Sequence, residues 1–124
     1  MLVAEDDAVL ALDMEEILRE AGVAKVVVHP TIAAIMAELE TGSPDVLVLD
    51  VHLADRDDGW ALAELVDVLR AKPPRIVFST GSPDDIPAAI AEMGVVLEKP
   101  YPPEKLVEAV AGERVGLLGR FIRG

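Results

Sequence analysis

The stretch Val46-Leu47-Val48-Leu49-Asp50 decides how this 124-residue chain is read. Four consecutive apolar residues suit a strand that is buried on both faces of a parallel sheet, because a half-exposed strand would alternate apolar and polar residues. Asp50 then stands where that strand meets solvent. The pattern predicts a buried strand that ends in a carboxylate.

Similar short apolar runs flank this stretch on both sides. They are Leu2–Ala4, Val26–Val28, Ile76–Phe78 and Val95–Leu97. Helical spacing of apolar residues separates them, as in Leu10, Met14, Ile17 and Leu18, and glycines or prolines end most of these segments. Five β-α repeats predict an α/β domain with a doubly wound parallel sheet and helices on both faces.

Composition narrows the function. The formal charge is −12, so the phosphates of nucleic acid would repel the chain, and we expect no direct nucleic-acid binding. The chain has no cysteine, no apolar run as long as a membrane span and no signal-peptide start, which predicts a cytoplasmic protein without membrane contact.

Polar residues follow four of the five predicted strands. They are Glu5, Asp6 and Asp7 after the first strand, Asp50 after the third, Ser79 and Thr80 after the fourth, and Lys99 after the fifth. Ligand sites of doubly wound sheets lie at the carboxyl ends of the strands, so these groups are expected to meet. Crowded carboxylates would favour a hard divalent cation such as Mg²⁺, and a carboxylate can accept a phosphoryl group.

Four motifs in register resemble the receiver domains of bacterial two-component response regulators. They are Val3-Ala4-Glu5-Asp6-Asp7, Val48-Leu49-Asp50, Phe78-Ser79-Thr80-Gly81 and Glu98-Lys99-Pro100. The resemblance covers residues 1–111 and implies the flavodoxin-like (βα)5 receiver fold with strand order 2-1-3-4-5. Residues 112–124 form a C-terminal extension, interpreted as a short amphipathic helix or a frayed end and too short for an output domain.

The resemblance also implies roles for individual residues. Asp50 matches the phosphoacceptor, Asp6 the principal Mg²⁺ ligand, and Glu5 a residue that acts on the metal through water. His52 matches the position whose backbone carbonyl binds the metal. Thr80 matches the switch hydroxyl, Lys99 the lysine that pairs with a phosphoryl oxygen, and Pro100 a proline after a cis bond. Asp7 is interpreted as a helix N-cap.

Three features depart from the usual receiver pattern. Val96 stands where the family usually has an aromatic switch residue. The loop after Asp50 lacks a common proline and is one residue longer before Asp58-Gly59. Phe78-Ser79-Thr80-Gly81 resembles a single-domain subgroup with Phe-Ala-Thr-Gly, which is associated with HWE-type histidine kinases.

The leading hypothesis is a signalling phosphoacceptor that takes a phosphoryl group from a histidine kinase or phosphotransfer protein and then switches an interaction with a downstream protein or drains phosphate. It would catalyse only its own phosphorylation and dephosphorylation. The alternatives are a degenerate receiver that serves as an interaction scaffold, and an aspartyl-nucleophile phosphatase, which would commonly need a second Asp where His52 stands. Apolar residues of the extension would favour a homodimer or partner contact if they remain exposed.

Overall fold

Strands and helices alternate along the chain in a computed structural model, which describes residues 1–111. The strands are β1 (Leu2–Ala4), β2 (Val27–His29), β3 (Val46–Leu49), β4 (Arg75–Thr80) and β5 (Gly94–Glu98). The helices are α1 (Ala8–Glu20), α2 (Ile32–Thr41), α3 (Ala61–Leu69), α4 (Ala88–Ala91) and α5 (Pro103–Ala111). The C-terminal extension predicted for 112–124 lies outside the described residues.

The five strands form one parallel sheet in the order β2-β1-β3-β4-β5. This confirms the α/β class, the doubly wound sheet and the strand order expected from the sequence. Three strands extend beyond the apolar runs that predicted them: β2 reaches His29, β4 runs from Arg75 to Thr80, and β5 runs from Gly94 to Glu98. For β4 and β5 the reason is that strand pairing continues through the polar register of Thr80 with Glu98.

Helices cover the sheet on two faces, and each face has its own core. One core joins α2, α3 and α4 to the sheet through residues such as Ile35, Leu62 and Phe78. The other joins α1 and α5 through Met14, Leu18 and Leu106. β3 is buried along its whole length because both cores contact it, as its unbroken apolar sequence predicted.

Short polar side chains and a glycine set the helix ends. Asp7 caps α1, since its Oδ1 accepts hydrogen bonds from the backbone N–H groups of Val9 and Leu10, both at 3.0 Å. Gly22, just past α1, has φ of +101°, a conformation that glycine adopts without steric cost.

The segment between β4 and β5 is less helical than its apolar spacing predicts. A 3₁₀ turn at Pro83–Asp85 precedes α4, which spans only Ala88–Ala91. Pro87 has no N–H to donate and Gly94 begins the next strand, so the helix is confined from both sides. Ile86 and Ile90 are nevertheless buried in the core. Among the described residues, no helix is long and apolar enough to cross a membrane.

Candidate functional site

Backbone hydrogen bonds at the carboxyl edge of the sheet fix the first residue after three strands. The N–H of Glu5 donates to the carbonyl of His29 at 3.0 Å, and the N–H of Asp50 donates to the carbonyl of Ala4 at 3.1 Å. The N–H of Lys99 donates to the carbonyl of Thr80 at 2.8 Å. Each residue thus continues the parallel ladder by one step, which holds its side chain at the same edge.

Lys99 joins the two buried carboxylates of this edge. Its Nζ lies 2.8 Å from Glu5 Oε1 and 2.9 Å from Asp50 Oδ2. Glu5 is 2% exposed and Asp50 6% exposed, so both carboxylates are largely withdrawn from water. The remaining oxygens also have partners: Glu5 Oε2 accepts from the N–H of Asp7 at 3.1 Å, and Asp50 Oδ1 accepts from the N–H of His52 at 3.1 Å.

The electrostatics reflect more negative than positive charge in a small volume. Burial raises the pKa of Glu5, and the nearby Asp50 adds to that rise against the hydrogen bond from Lys99. Burial acts to lower the pKa of Lys99, but its hydrogen bonds to Glu5 and Asp50 outweigh that effect and leave its pKa raised. Lys99 therefore remains an ammonium over the physiological pH range.

Asp6 completes the acidic cluster from the solvent side. One carboxylate oxygen each of Glu5, Asp6 and Asp50 lies within 4.8 Å of the others, and Asp6 is exposed. Carboxylate oxygens are the donors that Mg²⁺ prefers, and Mg²⁺ usually keeps several waters, which an open side of the site permits. The residues present therefore fit a magnesium ion.

Thr80 lies at the end of β4 and is fully buried. Its Oγ1 accepts a hydrogen bond from the N–H of Ser82 at 2.9 Å, so the hydroxyl is tied to the β4-α4 loop.

Val96 and Pro100 lie on either side of Lys99 along the chain, Val96 within β5 and Pro100 directly after Lys99. Val96 lies opposite the fully buried Phe78 in the β4-β5 register and is itself partly buried against the α2/α3 core. The Lys99–Pro100 peptide bond is cis. The strand that leads to Lys99 thus carries a small aliphatic side chain where an aromatic ring was expected in the family.

The loop after Asp50 is tied to its surroundings by polar contacts. Asp55 caps α2 from outside, as its carboxylate accepts from the N–H groups of Ile32 at 2.9 Å and Ala33 at 3.1 Å. Arg56 pairs with Asp58 at 2.9 Å. Within the loop, Leu53 and Arg56 exchange backbone hydrogen bonds across a tight turn.

Two contacts beside the cluster were not predicted from the sequence. His52 Nε2 lies 2.8 Å from Asp85 Oδ2, so its side chain links the loops that follow β3 and β4. Tyr101 OH lies 2.7 Å from Ser79 Oγ, which joins the start of the β5-α5 loop to the end of β4. Tyr101 is the chain's one tyrosine and stands two residues after Lys99, which is the sequence signal that could have drawn attention to it.

Solved structures of other proteins share this fold. The structure of SdrG from Sphingomonas melonis Fr1 is similar, with 29% identity over 89% of this chain and 91% of that chain and a TM-score of 0.73. A CheY-like response regulator receiver domain from Methylobacillus flagellatus shares the fold at 22% identity, a TM-score of 0.76, and coverage of 96% and 94%. The response regulatory domain of mrkE from Klebsiella pneumoniae shares it at 19% identity, a TM-score of 0.77, and coverage of 98% and 96%.

No curated protein matches the chain. The family model of the response regulator receiver domain matches residues 1–111, which carry all five strands and all the polar groups described above. The chain therefore belongs to the response regulator receiver domain family.

Proposed function

We propose that this chain accepts a phosphoryl group on Asp50, in the presence of Mg²⁺, from a histidine kinase or a phosphotransfer protein. The observation that carries the proposal is the position of Lys99 Nζ between the buried carboxylates of Glu5 and Asp50, beside the exposed Asp6. Such a group of charges is costly to bury for stability alone, so a functional reason for it is favoured.

The contacts of Asp50 suit a nucleophile. One of its oxygens accepts from the N–H of His52 and the other from Lys99, which fixes the plane of the carboxylate. In the transfer, a bond forms between an Asp50 oxygen and phosphorus while the phosphorus–nitrogen bond to the donor histidine breaks, and the leaving imidazole keeps the electron pair. Lys99 is then placed to pair with a phosphoryl oxygen, and the Thr80 hydroxyl to donate to another.

Asp6, Asp50 and the backbone carbonyl of His52 are the groups that would hold Mg²⁺, with Glu5 acting through water. The ion would neutralise negative charge on the phosphoryl oxygens during transfer. Glu5 is the deepest of these residues and already contacts Lys99, so its part is to hold that ammonium in place.

Phosphorylation would alter the β4-α4 loop first. The new dianion would draw the Thr80 hydroxyl away from the N–H of Ser82 and draw Lys99 towards itself. A downstream protein would sense the change, or the chain would act as a phosphate sink for its kinase, which we take to be of the HWE type. The chain would catalyse only its own phosphorylation and dephosphorylation, in the cytoplasm where such a kinase presents its phosphoryl group.

The test is incubation with Mg²⁺ and acetyl phosphate, followed by intact-mass measurement. We expect one added phosphoryl group on the native chain and on Asp13→Asn, which changes an exposed carboxylate of α1, and none on Asp50→Asn. Labelling of Asp50→Asn at the native level would refute Asp50 as the acceptor.

A second candidate function is an interaction scaffold that does not depend on phosphorylation, and the valine at position 96 favours it. With Val96 packed opposite Phe78, the described residues hold no aromatic side chain at that position to turn behind Thr80. The scaffold function would be favoured if the native chain takes no phosphoryl group from acetyl phosphate and if Mg²⁺ leaves its NMR spectrum unchanged.

A further inference from the structure

An apolar groove lies between α2 and α3, on the face of the sheet opposite α1 and α5. Two adjoining depressions form it, of about 550 and 490 Å³, and both are lined by Met36, Leu62 and Leu65. The first extends towards the phosphoacceptor edge at Gly59, and the second towards the opposite edge of the sheet at Arg70.

The groove exposes large apolar side chains of α2, of α3 and of the segment before β5. Exposure is 41% for Met36, 40% for Leu65, 74% for Val68, 71% for Leu69 and 36% for Met93. Scattered apolar residues on a surface need no explanation, but five around one groove indicate that something covers it.

The described chain ends close to the end of the groove that Arg70 lines. Arg75, at the start of β4, donates through its Nε to the carbonyl of Ala109 in the last turn of α5, at 2.6 Å. The N–H of the same Arg75 donates to the carbonyl of Asp45 at 2.9 Å. The end of α5 therefore lies at the amino edge of the sheet, beside the α2-β3 connection.

The same connection leads directly to the groove. Arg70, which lines the second depression, donates to the carbonyl of Gly42 at 3.0 Å and to Ser43 Oγ at 3.2 Å. Ser43 is two residues from Asp45. The contacts of Arg75 with Asp45 and of Arg70 with Ser43 therefore place the end of α5 near this end of the groove. Twelve further residues can span up to about 40 Å when extended, which exceeds the roughly 15 Å length of either helix.

The chemistry of residues 113–124 matches that of the groove. They include Val115, Leu117, Leu118, Phe121 and Ile122 together with three arginines and one glutamate. That segment carries +2, which leaves −14 on the rest of the chain, since the whole chain carries −12. Three acidic residues, Glu40, Asp58 and Glu64, and two basic residues, Arg56 and Arg70, line the groove, which gives its wall a charge of −1. Asp58 is paired with Arg56, and Arg70 donates to Gly42 and Ser43, so Glu40 and Glu64 are the acidic groups of the wall outside that ion pair.

We propose that residues 113–124 bind in the groove between α2 and α3 of the same molecule. Their apolar side chains cover Met36, Leu65 and Leu69, and their arginines lie near Glu40 and Glu64. None of the acidic-cluster residues Glu5, Asp6 and Asp50 lines this groove.

Another exposed apolar pair, on α1, is a poorer match for the segment. Val9 is 79% exposed and Leu12 69% exposed, but both lie in the first two turns of α1, at the phosphoacceptor edge. The described chain ends at the opposite edge, and neither residue lines the two depressions of the groove.

The test uses the full chain, and its lack of cysteine makes the labelling simple. A nitroxide on Gly119→Cys would broaden nearby methyl signals in a sample with ¹³C-methyl methionine. Met36 and Met93 report on the groove, while Met14, which is 2% exposed beneath α1, reports on the other face. We expect Met36 and Met93 to lose more intensity than Met14, relative to the reduced label.

Mixing unlabelled nitroxide-bearing chain with ¹³C-labelled native chain separates binding within one molecule from binding between two. The proposal is overturned if the broadening of Met36 and Met93 appears undiminished in the mixed sample, which would make the groove a contact between copies. It is equally overturned if Met14 is the more strongly broadened signal.

A pair of variants tests the apolar part of the proposal without a label. Phe121→Asp is expected to shift the Met36 or Met93 methyl signals and leave Met14 in place, whereas the conservative Phe121→Leu is expected to cause a smaller shift. Phe121→Asp with unchanged Met36 and Met93 signals would contradict the proposal. Neither measurement requires Mg²⁺ or phosphorylation, so the proposal stands or falls apart from the function of Asp50.

Discussion

The carboxyl edge of the sheet and the loop that follows Asp50 hold their charges in different ways. At the edge, Glu5 and Asp50 are buried, and both are bonded to one lysine. In the loop, the Arg56–Asp58 pair is about half exposed, and Asp57 has a side chain that is 95% exposed. The two regions adjoin, since Asp50 directly follows β3 and begins the loop.

The difference teaches which charges the fold depends on. A buried carboxylate that loses its partner has no water to replace it, whereas an exposed ion pair contributes little because water competes for both groups. Substitutions at the edge should therefore change stability and function together, and substitutions of the loop charges should change mainly local properties.

The largest expected effect would break this contrast, because it lies in the loop. A Cβ on Gly59 would stand 2.6 Å from the carbonyl oxygen of Asp50 and 2.9 Å from that of Val51, so Gly59→Ala must displace the backbone at Asp50 and Val51. We expect a loss of about 2–3 kcal/mol in the free energy of unfolding.

Urea denaturation of Gly59→Ala measures this loss, with Gly81→Ala as its matched control. A Cβ on Gly81 meets nothing within 4 Å, so the control should stay within about 0.5 kcal/mol of the native chain. Equal stability of the two variants would show that the loop yields without cost.

Lys99→Met should have the next largest effect and would sharpen the contrast. It removes the ammonium from two buried carboxylates while keeping most of the side-chain volume. We expect about 2 kcal/mol of destabilisation near neutral pH, reduced from the value for a fully buried pair because Lys99 is partly exposed, together with loss of phosphorylation. Lys105→Met, at an exposed position of α5, should change neither.

The pH dependence of Lys99→Met follows from the raised pKa of Glu5. Burial already raises that pKa, and without the ammonium it rises further, so folded Lys99→Met binds protons more tightly than its unfolded chain. Its stability relative to the native chain should therefore recover as the pH falls towards about 4. A deficit that stays constant with pH would mean that lost packing, rather than charge, causes it.

The sequence predicted the sheet well because burial on two faces leaves a simple pattern. Val46–Leu49 is apolar without interruption, and the structure buries all four residues. The polar groups that follow β1, β3, β4 and β5 were expected to meet, because parallel strands end at one edge. The β4 and β5 bounds were less accurate, since Thr80 and Glu98 are polar yet remain in the ladder.

Contacts between loops were not predictable in the same way. The exposure of Leu65 and Leu69 was not predictable either. Both have helical apolar spacing, but they line the groove, and their exposure depends on the distance between α2 and α3. The contacts of Tyr101 with Ser79 and of His52 with Asp85 join residues that are 22 and 33 positions apart. No local periodicity encodes such pairs.

Tyr101→Phe tests whether the edge depends on a contact just behind it. The variant removes the hydroxyl that bonds to Ser79 Oγ, and Ser79 is 1% exposed, so its own hydroxyl would lose a partner without gaining water. We expect a loss of about 1 kcal/mol in urea denaturation and a slower phosphorylation by acetyl phosphate, since Tyr101 stands only two residues after Lys99. The double variant with Ser79→Ala should recover part of the stability; additive losses would rule out the contact as the cause.

The smallest expected effect concerns the loop charges themselves. The hydrogen bond to Asp85 raises the pKa of His52 above 6.5, with a further contribution from Asp57. A histidine whose pKa is raised by folding contributes stability below its unfolded pKa and loses that contribution as the pH rises through the folded value. Because the side chain of His52 is 41% exposed, the stability involved is small, and NMR titration of the ring is the better measurement.

Asp85→Asn should lower the pKa of His52, whereas Asp84→Asn, next to it on the same turn, should leave that pKa unchanged. A His52 pKa that is insensitive to Asp85→Asn would show that the hydrogen bond between the two loops does not form in solution. The loop after Asp50 would then be held even more weakly, relative to the carboxyl edge with its Lys99 ion pairs, than the structure indicates.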